Sequence, residues 1–529
     1  MIALRTERLE VGHAGPGVLR VRTTPLAGFP PERPWSIPPG RGDSGLSFHV
    51  TEDSRLVFLF EGTEFAADLA AASHTWDGAG EEPALDPALH PLQRHHLTVS
   101  LGKRLHPDEV LYGFGQRTMK LDRRGNRLTN WTVDPESGQS RGHDNLYQAH
   151  PFFMAHRPGF TWGLLLNCTW WSQFDAGHES WDELWIRARG GVLDYFLLAG
   201  RSPAEVLDRY TALVGRPMLP PLWALGYHQS RWGYCSQAEI EDLARQFRER
   251  DLPLDAVHLD IDHMRDYRSL TFDPERFPRP AELTRTLAAR GARAVTIVDP
   301  GIKLEHDRDY PLARQLKEKR YHLSRPDGSP YVGYCWPDAA LFPDFVRHEV
   351  RDWWGDQFEG FLELGVSGFW LDMNEPANFD RPFSQKEFQQ NPLPLDLPQA
   401  DTVHAEAHNL YGLMMSRATR QGLAKLRPDR RPWILTRSGF PGIGREAAVW
   451  MGDNSSWFEH LELSFPQLLS MGLCGVPHAG VDIGGFFQNC DGELFARWIE
   501  AGVLYPFMRT HSAWGTRDQE PWSFGPEVE

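Results

Sequence analysis

The sequence predicts an α/β protein, a (β/α)8 barrel of the TIM type preceded by an N-terminal antiparallel β-sandwich. Three observations carry that expectation. Up to about residue 200 the chain is made of short apolar or alternating runs such as Leu56 to Phe60, Phe160 to Leu166 and Val192 to Leu198. They are separated by Gly, Pro and Asp clusters and have little helical period. Beyond residue 222 short apolar strands alternate with amphipathic helices, the texture of a parallel βα architecture. Finally, 529 residues exceed one hydrophobic core, and a barrel of about 250 residues plus a second domain fits that length. The expected division is a sandwich with its linker helix over 1–216 and the catalytic barrel, incomplete at its C-terminus, over 217–529.

Taken in order, Ser202-Pro203 opens a helix over Pro203 to Leu213, and Pro217, Pro220 and Pro221 mark the linker. Strand one is expected at Trp223 to Tyr227. A helix follows from Gln237 to Asp251, with Ser236 and Glu239 placed as a capping box and Ile240, Leu243, Ala244 and Phe247 as its apolar stripe. Strand two is Asp255 to Asp260. Next come a helix at Ala281 to Arg290, strand three at Ala294 to Val298, and a helix capped by Asp344. Strand four is Gly368 to Leu371, running directly into Asp372, Asn374 and Glu375. A Pro- and Gln-rich loop at 380–400 leads to a long helix from Val403 to Leu426. The later strands are Trp433 to Thr436, Ala447 to Met451, Gly480 to Ile483 and Tyr505 to Met508, with helices Leu461 to Met471 and Leu494 to Leu504 between them. An eighth helix is not legible before Glu529.

Composition excludes several functional classes. The balance of 55 Lys and Arg against 71 Asp and Glu, 55 − 71 = −16, repels nucleic acid phosphates and anionic membranes. No run is long enough to span a bilayer, and the charged N-terminus lacks a signal-peptide core. Five scattered cysteines suggest neither disulfides nor zinc, so a cytoplasmic location is the expectation. His90, His95 and His96 match no metal spacing and read as a solvated loop. No EF-hand, HExxH helix or other metal motif occurs, and no cofactor is implied.

Polar residues recur at every expected strand end: Trp232, Asp260 and Asp262, Asp299, Asp372, Arg437, Asp453, Asp482, His511. Singly, each reads as a helix cap or a solvated turn. In a closed barrel they converge on one pocket at the carboxyl ends of the strands. Carboxylates with arginine, histidine and tryptophan suit a polyhydroxylated ring, and glycoside cleavage needs two carboxyl groups, one of them kept protonated.

The chain resembles glycoside hydrolase family 31, the α-glucosidase family. Gly-Phe-Trp-Leu-Asp-Met-Asn-Glu-Pro at 368–376 carries the resemblance, with Leu-Asp-Ile-Asp-His-Met at 259–264, Arg-Ser-Gly-Phe at 437–440 and Trp-Met-Gly-Asp-Asn at 450–454. Gly-Val-Asp-Ile-Gly-Gly-Phe at 480–486 and Phe-Met-Arg-Thr-His at 507–511 complete it. Tyr-Gly-Phe-Gly-Gln at 112–116 and the segment 145–154 resemble that family's N-terminal sandwich, although Gln116 stands where many members have Glu.

The resemblance implies Asp372 as nucleophile and Asp453 as general acid/base of a retaining exo-α-glucosidase acting on maltose-like oligosaccharides. It implies substrate contacts from Asp134, Trp232, Asp260, Ile261, Ile302, Trp336, Trp370, Met373, Arg437, Trp450, Asp482, Phe486 and His511. Asn374 and Glu375 would hold Asp372 from behind. The Asp-Met-Asn-Glu segment resembles the α-glucosidase subgroup more than the α-xylosidases. Family members continue past residue 529 with the eighth barrel helix and further β-domains, so a truncated, inactive or partner-dependent fragment is the competing expectation, with an uncovered seam between strands eight and one. Linkage preference, transglycosylation and assembly into a homo-oligomer stay open at this level.

Overall fold

The computed structural model describes residues 2–3, 8–25, 29, 32, 33, 35, 37, 38, 40–76, 97–135, 139–304 and 310–529. His90, His95 and His96 lie outside the described residues. The N-terminal part is built from antiparallel sheets of seven, five and three strands. Leu19, Val21, Leu101, Leu128, Phe153, Trp162, Phe174 and Leu197 alternate inward along these strands and form one core. Ser202 then caps the linker helix Pro203–Val214, its side chain accepting from the Glu205 N–H.

The second part is a parallel barrel. Its strands are β1 (Tyr227–Ser230), β2 (Ala256–Leu259), β3 (Arg293–Val298), β4 (Gly368–Leu371), β5 (Ile434–Thr436), β6 (Ala448–Trp450), β7 (Ala479–Gly480 with Asp482–Ile483) and β8 (Met508–Thr510). Each pairs with the next, and β8 pairs with β1. The ring closes through β7, which breaks at Val481: its first piece bonds β6 and its second bonds β8. Among the described residues, each strand up to β7 is followed by a main covering helix: α1 (Gln237–Glu249), α2 (Pro280–Ala289), α3 (His348–Asp356), α4 (Tyr411–Leu426), the single turn α5 (Ile443–Glu446), α6 (Phe458–Leu473) and α7 (Gly492–Gly502). Ser236 caps α1 as expected, and the Glu239 carboxylate reaches back to the Cys235 N–H.

Several expectations are corrected. Leu222–Leu225 is a 3-10 turn, not strand one; the strand is the polar Tyr-His-Gln-Ser that follows. Strand eight likewise begins at Met508, where Tyr505 was expected. Asp344 caps no helix: α3 starts at His348, and the Asp344 carboxyl accepts from Val346, Ala400 and Gln399, tying two loops together. The helix expected from Val403 is stepped, with a turn at His404–Ala407 and a 3-10 piece at His408–Leu410 before α4.

The seam between β8 and β1 is not bare. Residues 519–529 lie across it, where the 3-10 turn Pro521–Phe524 sets Trp522 against Phe247 of α1, ring centroids 4.9 Å apart, and Phe524 against Phe495 of α7 at 4.5 Å.

Candidate active site

At the carboxyl ends of the barrel strands a pocket of about 580 Å³ collects most of the residues read from the sequence: Asp134, Trp232, Asp260, Ile261, Trp336, Trp370, Asp372, Met373, Arg437, Asp453, Phe486 and His511. The size and mixed lining suit a small polar ligand with apolar ring faces. β4 fixes the central group. Its four residues are buried on both faces, so the first carboxyl group after Leu371 emerges at the pocket floor.

Arg437, buried after β5, is the electrostatic hub. Its guanidinium grips Glu375 with two bonds, Nε to Oε1 at 2.9 Å and Nη2 to Oε2 at 2.8 Å. Its Nε is also 3.1 Å from Asp372 Oδ1, and its Nη2 is 3.4 Å from Asp134 Oδ2. Burial alone would weaken the cation, but Asp134, Asp372 and Glu375 outweigh it and drive its pKa up. Arg437 therefore stays charged and orients three carboxylates at once. Asn374 braces the same strand ends from behind: its amide nitrogen donates to Thr436 Oγ1 at 3.0 Å, and its oxygen accepts from the Ser438 N–H at 3.0 Å. Neither Asn374 nor Glu375 lines the pocket: Glu375 meets Asp372 through their shared Arg437, and Asn374 bonds the end of β5.

Asp453 faces the pocket from the turn after β6. The protein around it raises its carboxyl well above the usual range: burial contributes most, Arg437 opposes, and Asp134, Asp372 and Asp482 add to the rise. Its backbone N–H donates to Tyr147 Oη at 3.3 Å. The turn needs the glycine before it, because a Cβ on Gly452 (φ +69°) would stand 2.0 Å from the Tyr147 ring. Asp260, after β2, accepts from the Ile261 N–H at 2.7 Å and lies 3.6 Å from His511 Nε2. Burial, opposed by that N–H and reinforced by Asp372, pushes the Asp260 carboxyl up to about 8. Its strand-end neighbour Asp262 faces the other way and pairs with Arg276 at 3.2 Å.

Aromatic rings wall the cavity. The Trp232 ring is parallel to Phe486 at 6.5 Å, His511 stacks on Phe486 at 4.9 Å, and Trp370 meets His511 edge-on at 5.2 Å.

Three expected pocket residues do not line it. Ile302 is fully buried in the core cluster around Val298 and Leu341, on a short antiparallel strand outside the barrel. Trp450 and Asp482 sit one layer below. There Asp482 is paired at 2.6 Å with Arg509, whose guanidinium lies 4.5 Å from the Trp370 ring and 5.2 Å from Trp450. That buried pair supports the tryptophan floor.

Conversely, Phe379, Phe383, Phe388, Gln389 and Gln390 line the mouth, and Gln390 donates to Asp134 at 2.7 Å. For all of them but Phe379 the signal is the loop composition at 380–400, which marks a loop without saying which rings turn inward.

The sandwich supplies part of the site. Tyr147 lies under Arg437, 4.9 Å from its guanidinium carbon, and Gln148 donates to the Arg437 carbonyl at 2.5 Å. Asn409, just before α4, is fully buried between the two parts. It accepts from the Thr132 N–H at 2.9 Å and donates to the Asn130 and Thr169 carbonyls.

A closed parallel barrel with clustered carboxylates and aromatic walls at its strand ends, completed by a sandwich loop, defines the class as a two-part TIM-barrel protein with its pocket at the strand ends. The model of the glycosyl hydrolases family 31 TIM-barrel domain matches residues 217–529, and that of the family's N-terminal galactose mutarotase-like domain matches residues 8–175. The chain belongs to glycosyl hydrolase family 31.

Among its relatives, alpha-glucosidase 2 of Bacillus thermoamyloliquefaciens is 42% identical over 427 residues, 81% of this chain and 53% of that protein. A probable glucan 1,3-alpha-glucosidase of Arabidopsis thaliana is 36% identical over 72% of this chain and 42% of its own length. The chain thus spans about half the length of the curated relatives it matches. Among solved structures, a family 31 alpha-glucosidase from Bacteroides thetaiotaomicron superposes with a TM-score of 0.71 at 36% identity, covering 80% of this chain and 69% of that one. The catalytic subunit in an ER glucosidase II heterodimeric complex superposes at 0.84 with 26% identity, covering 98% and 64%.

Proposed function

We propose that this chain carries the active site of a retaining exo-α-glucosidase, with Asp372 as nucleophile and Asp453 as general acid/base. The observation that carries the reading is the contrast between the two carboxyl groups. Asp372 is pinned 3.1 Å from a permanently charged guanidinium, while Asp453 is held well above the usual carboxylate range by burial and its acidic neighbours. A retaining glycosidase needs that contrast.

In the first step Asp372 attacks the anomeric carbon, the glycosidic bond breaks, and the Asp453 proton passes to the departing oxygen. In the second, Asp453 takes a proton from water, whose oxygen displaces Asp372 and releases glucose with its configuration retained. Asp260 and His511 are placed to accept and donate hydrogen bonds to ring hydroxyls, and Trp370 and Phe486 to pack on C–H faces. The likeness to several α-glucosidases supports glucose as the sugar in the cleaved position.

The test is hydrolysis of maltose and p-nitrophenyl α-glucoside, followed by anomeric NMR. α-Glucose should appear first. Asp372→Asn should lose about a thousandfold or more on both substrates, whereas Asp453→Ala should retain far more activity on the aryl glucoside, whose leaving group needs no proton. Equal losses on the two substrates for Asp453→Ala would remove it from the acid role.

A further inference from the structure

At the opposite, amino-terminal end of the barrel a second cavity of about 600 Å³ opens beneath the entries to β3, β4 and β5. Four arginines line it: Arg293 at the start of β3, and Arg427, Arg430 and Arg431 between α4 and β5. No carboxylate does, among the described residues. In a chain with sixteen more acidic than basic residues that is unusual, and guanidiniums elsewhere in the barrel show the contrast. Arg245 and Arg276 pair with Asp242 and Asp262, while Arg417 and Arg420 share Glu446.

The four arginines of the cavity make no such pair among the described residues. Three of them are instead held by backbone carbonyls: Arg293 by Ala292 at 3.3 Å, Arg427 by Leu426 at 2.9 Å and Arg431 by Pro220 at 3.3 Å. These bonds orient the guanidiniums and leave their charge uncompensated. The negative end of the α4 dipole can account for Arg427, directly after that helix, but not for Arg293 at the start of a strand. Leu362, Val366 and Leu423 give the cavity an apolar floor, and the lining residue Trp433, almost fully buried, has no hydrogen-bond partner for its indole Nε1.

We propose that this cavity binds a small phosphorylated organic molecule, its phosphoryl group held by the arginines and its organic part on the apolar floor. A phosphomonoester dianion has three oxygens that can accept paired bonds from more than one guanidinium; a single carboxylate would leave most of the positive charge unmatched. The volume of this open cavity fits a small ligand, and the acidic remainder of the surface repels a long polyanion. The site lies outside the machinery assigned above, so its existence does not depend on the glucosidase reading.

Phenyl phosphate, which carries no sugar, is the probe, with inorganic phosphate and phenol as controls, titrated calorimetrically into the full chain. Phenyl phosphate should bind more tightly than either control. In Arg427→Gln/Arg430→Gln its affinity should fall by about tenfold or more, since each lost charge-assisted bond is worth roughly that factor. The exposed single variant Arg430→Glu, checked for an unchanged melting curve without ligand, should weaken binding in the same direction. Unchanged affinity in both variants, or no phenyl phosphate binding at millimolar concentration, overturns the proposal. Equal binding of phenyl and inorganic phosphate overturns its organic half.

Discussion

Asp260 shows how one side chain can serve the pocket at the expense of the fold. Buried after β2 and facing Asp372, its carboxyl is raised from 3.8 to about 8. Between those two values the folded protein holds a proton that the unfolded chain has released. Stability therefore falls as pH rises across that window, and above it the buried anion stands at its full cost. Asparagine at this position keeps an oxygen for the Ile261 N–H and cannot ionise. The melting temperature of Asp260→Asn relative to the native protein should accordingly climb between pH 5 and pH 8.5, while kcat/KM drops because a hydroxyl acceptor is lost. A difference in melting temperature that stays flat over that range would show that Asp260 does not titrate there.

At the scale of elements, the turn after β6 is the most demanding piece. Gly452 adopts φ +69°, and a methyl group there would enter the Tyr147 ring, so the turn that aims Asp453 and the sandwich loop under Arg437 are fitted to each other. Gly452→Ala should cost about 2–4 kcal/mol, the sum of a left-handed penalty and overpacking. In a Tyr147→Ala background, where the ring is gone, Gly452→Ala should cost only the backbone share. Denaturant midpoints of the native protein, the two single variants and the double variant measure that split, and an equal cost of Gly452→Ala in both backgrounds would place the strain elsewhere.

The same elements explain what was legible beforehand. β4 stood out because it is apolar on both faces and stops at Asp372. β1 and β8 escape a reading that looks for apolar runs, because these two strands are polar inside. His228 of β1 bonds His258 of β2 at 3.0 Å, and Arg509 of β8 pairs with Asp482. Their partners come from other strands, so no local pattern reveals them. Trp450 and Asp482 depart from the pocket placement that the resemblance implies for a related reason: the layer their side chains occupy is set by Arg509 beneath Trp370, a contact between strands that no local pattern shows.

Across the whole molecule, the site belongs to neither part alone. The barrel provides Asp372, Arg437 and Asp453, and the sandwich provides Asp134 beside Arg437 and Tyr147 beneath it. Asn409 fastens the two through three backbone groups, while His408 stacks on Trp131 at 3.8 Å and Thr132 Oγ1 donates to the Glu375 carbonyl at 3.2 Å. That last bond ends on the residue whose carboxylate grips Arg437. Asn409→Ala would leave the Thr132 N–H and the Asn130 and Thr169 carbonyls buried without this partner, at about 1–3 kcal/mol for each group that finds no substitute. Calorimetry should show a lower melting temperature, and if the interface is part of the catalytic apparatus, kcat/KM on p-nitrophenyl α-glucoside should fall at temperatures where the variant is still fully folded. Retained activity in a folded but less stable Asn409→Ala would mean that the barrel positions Arg437 unaided, and that the sandwich contributes stability without shaping the site.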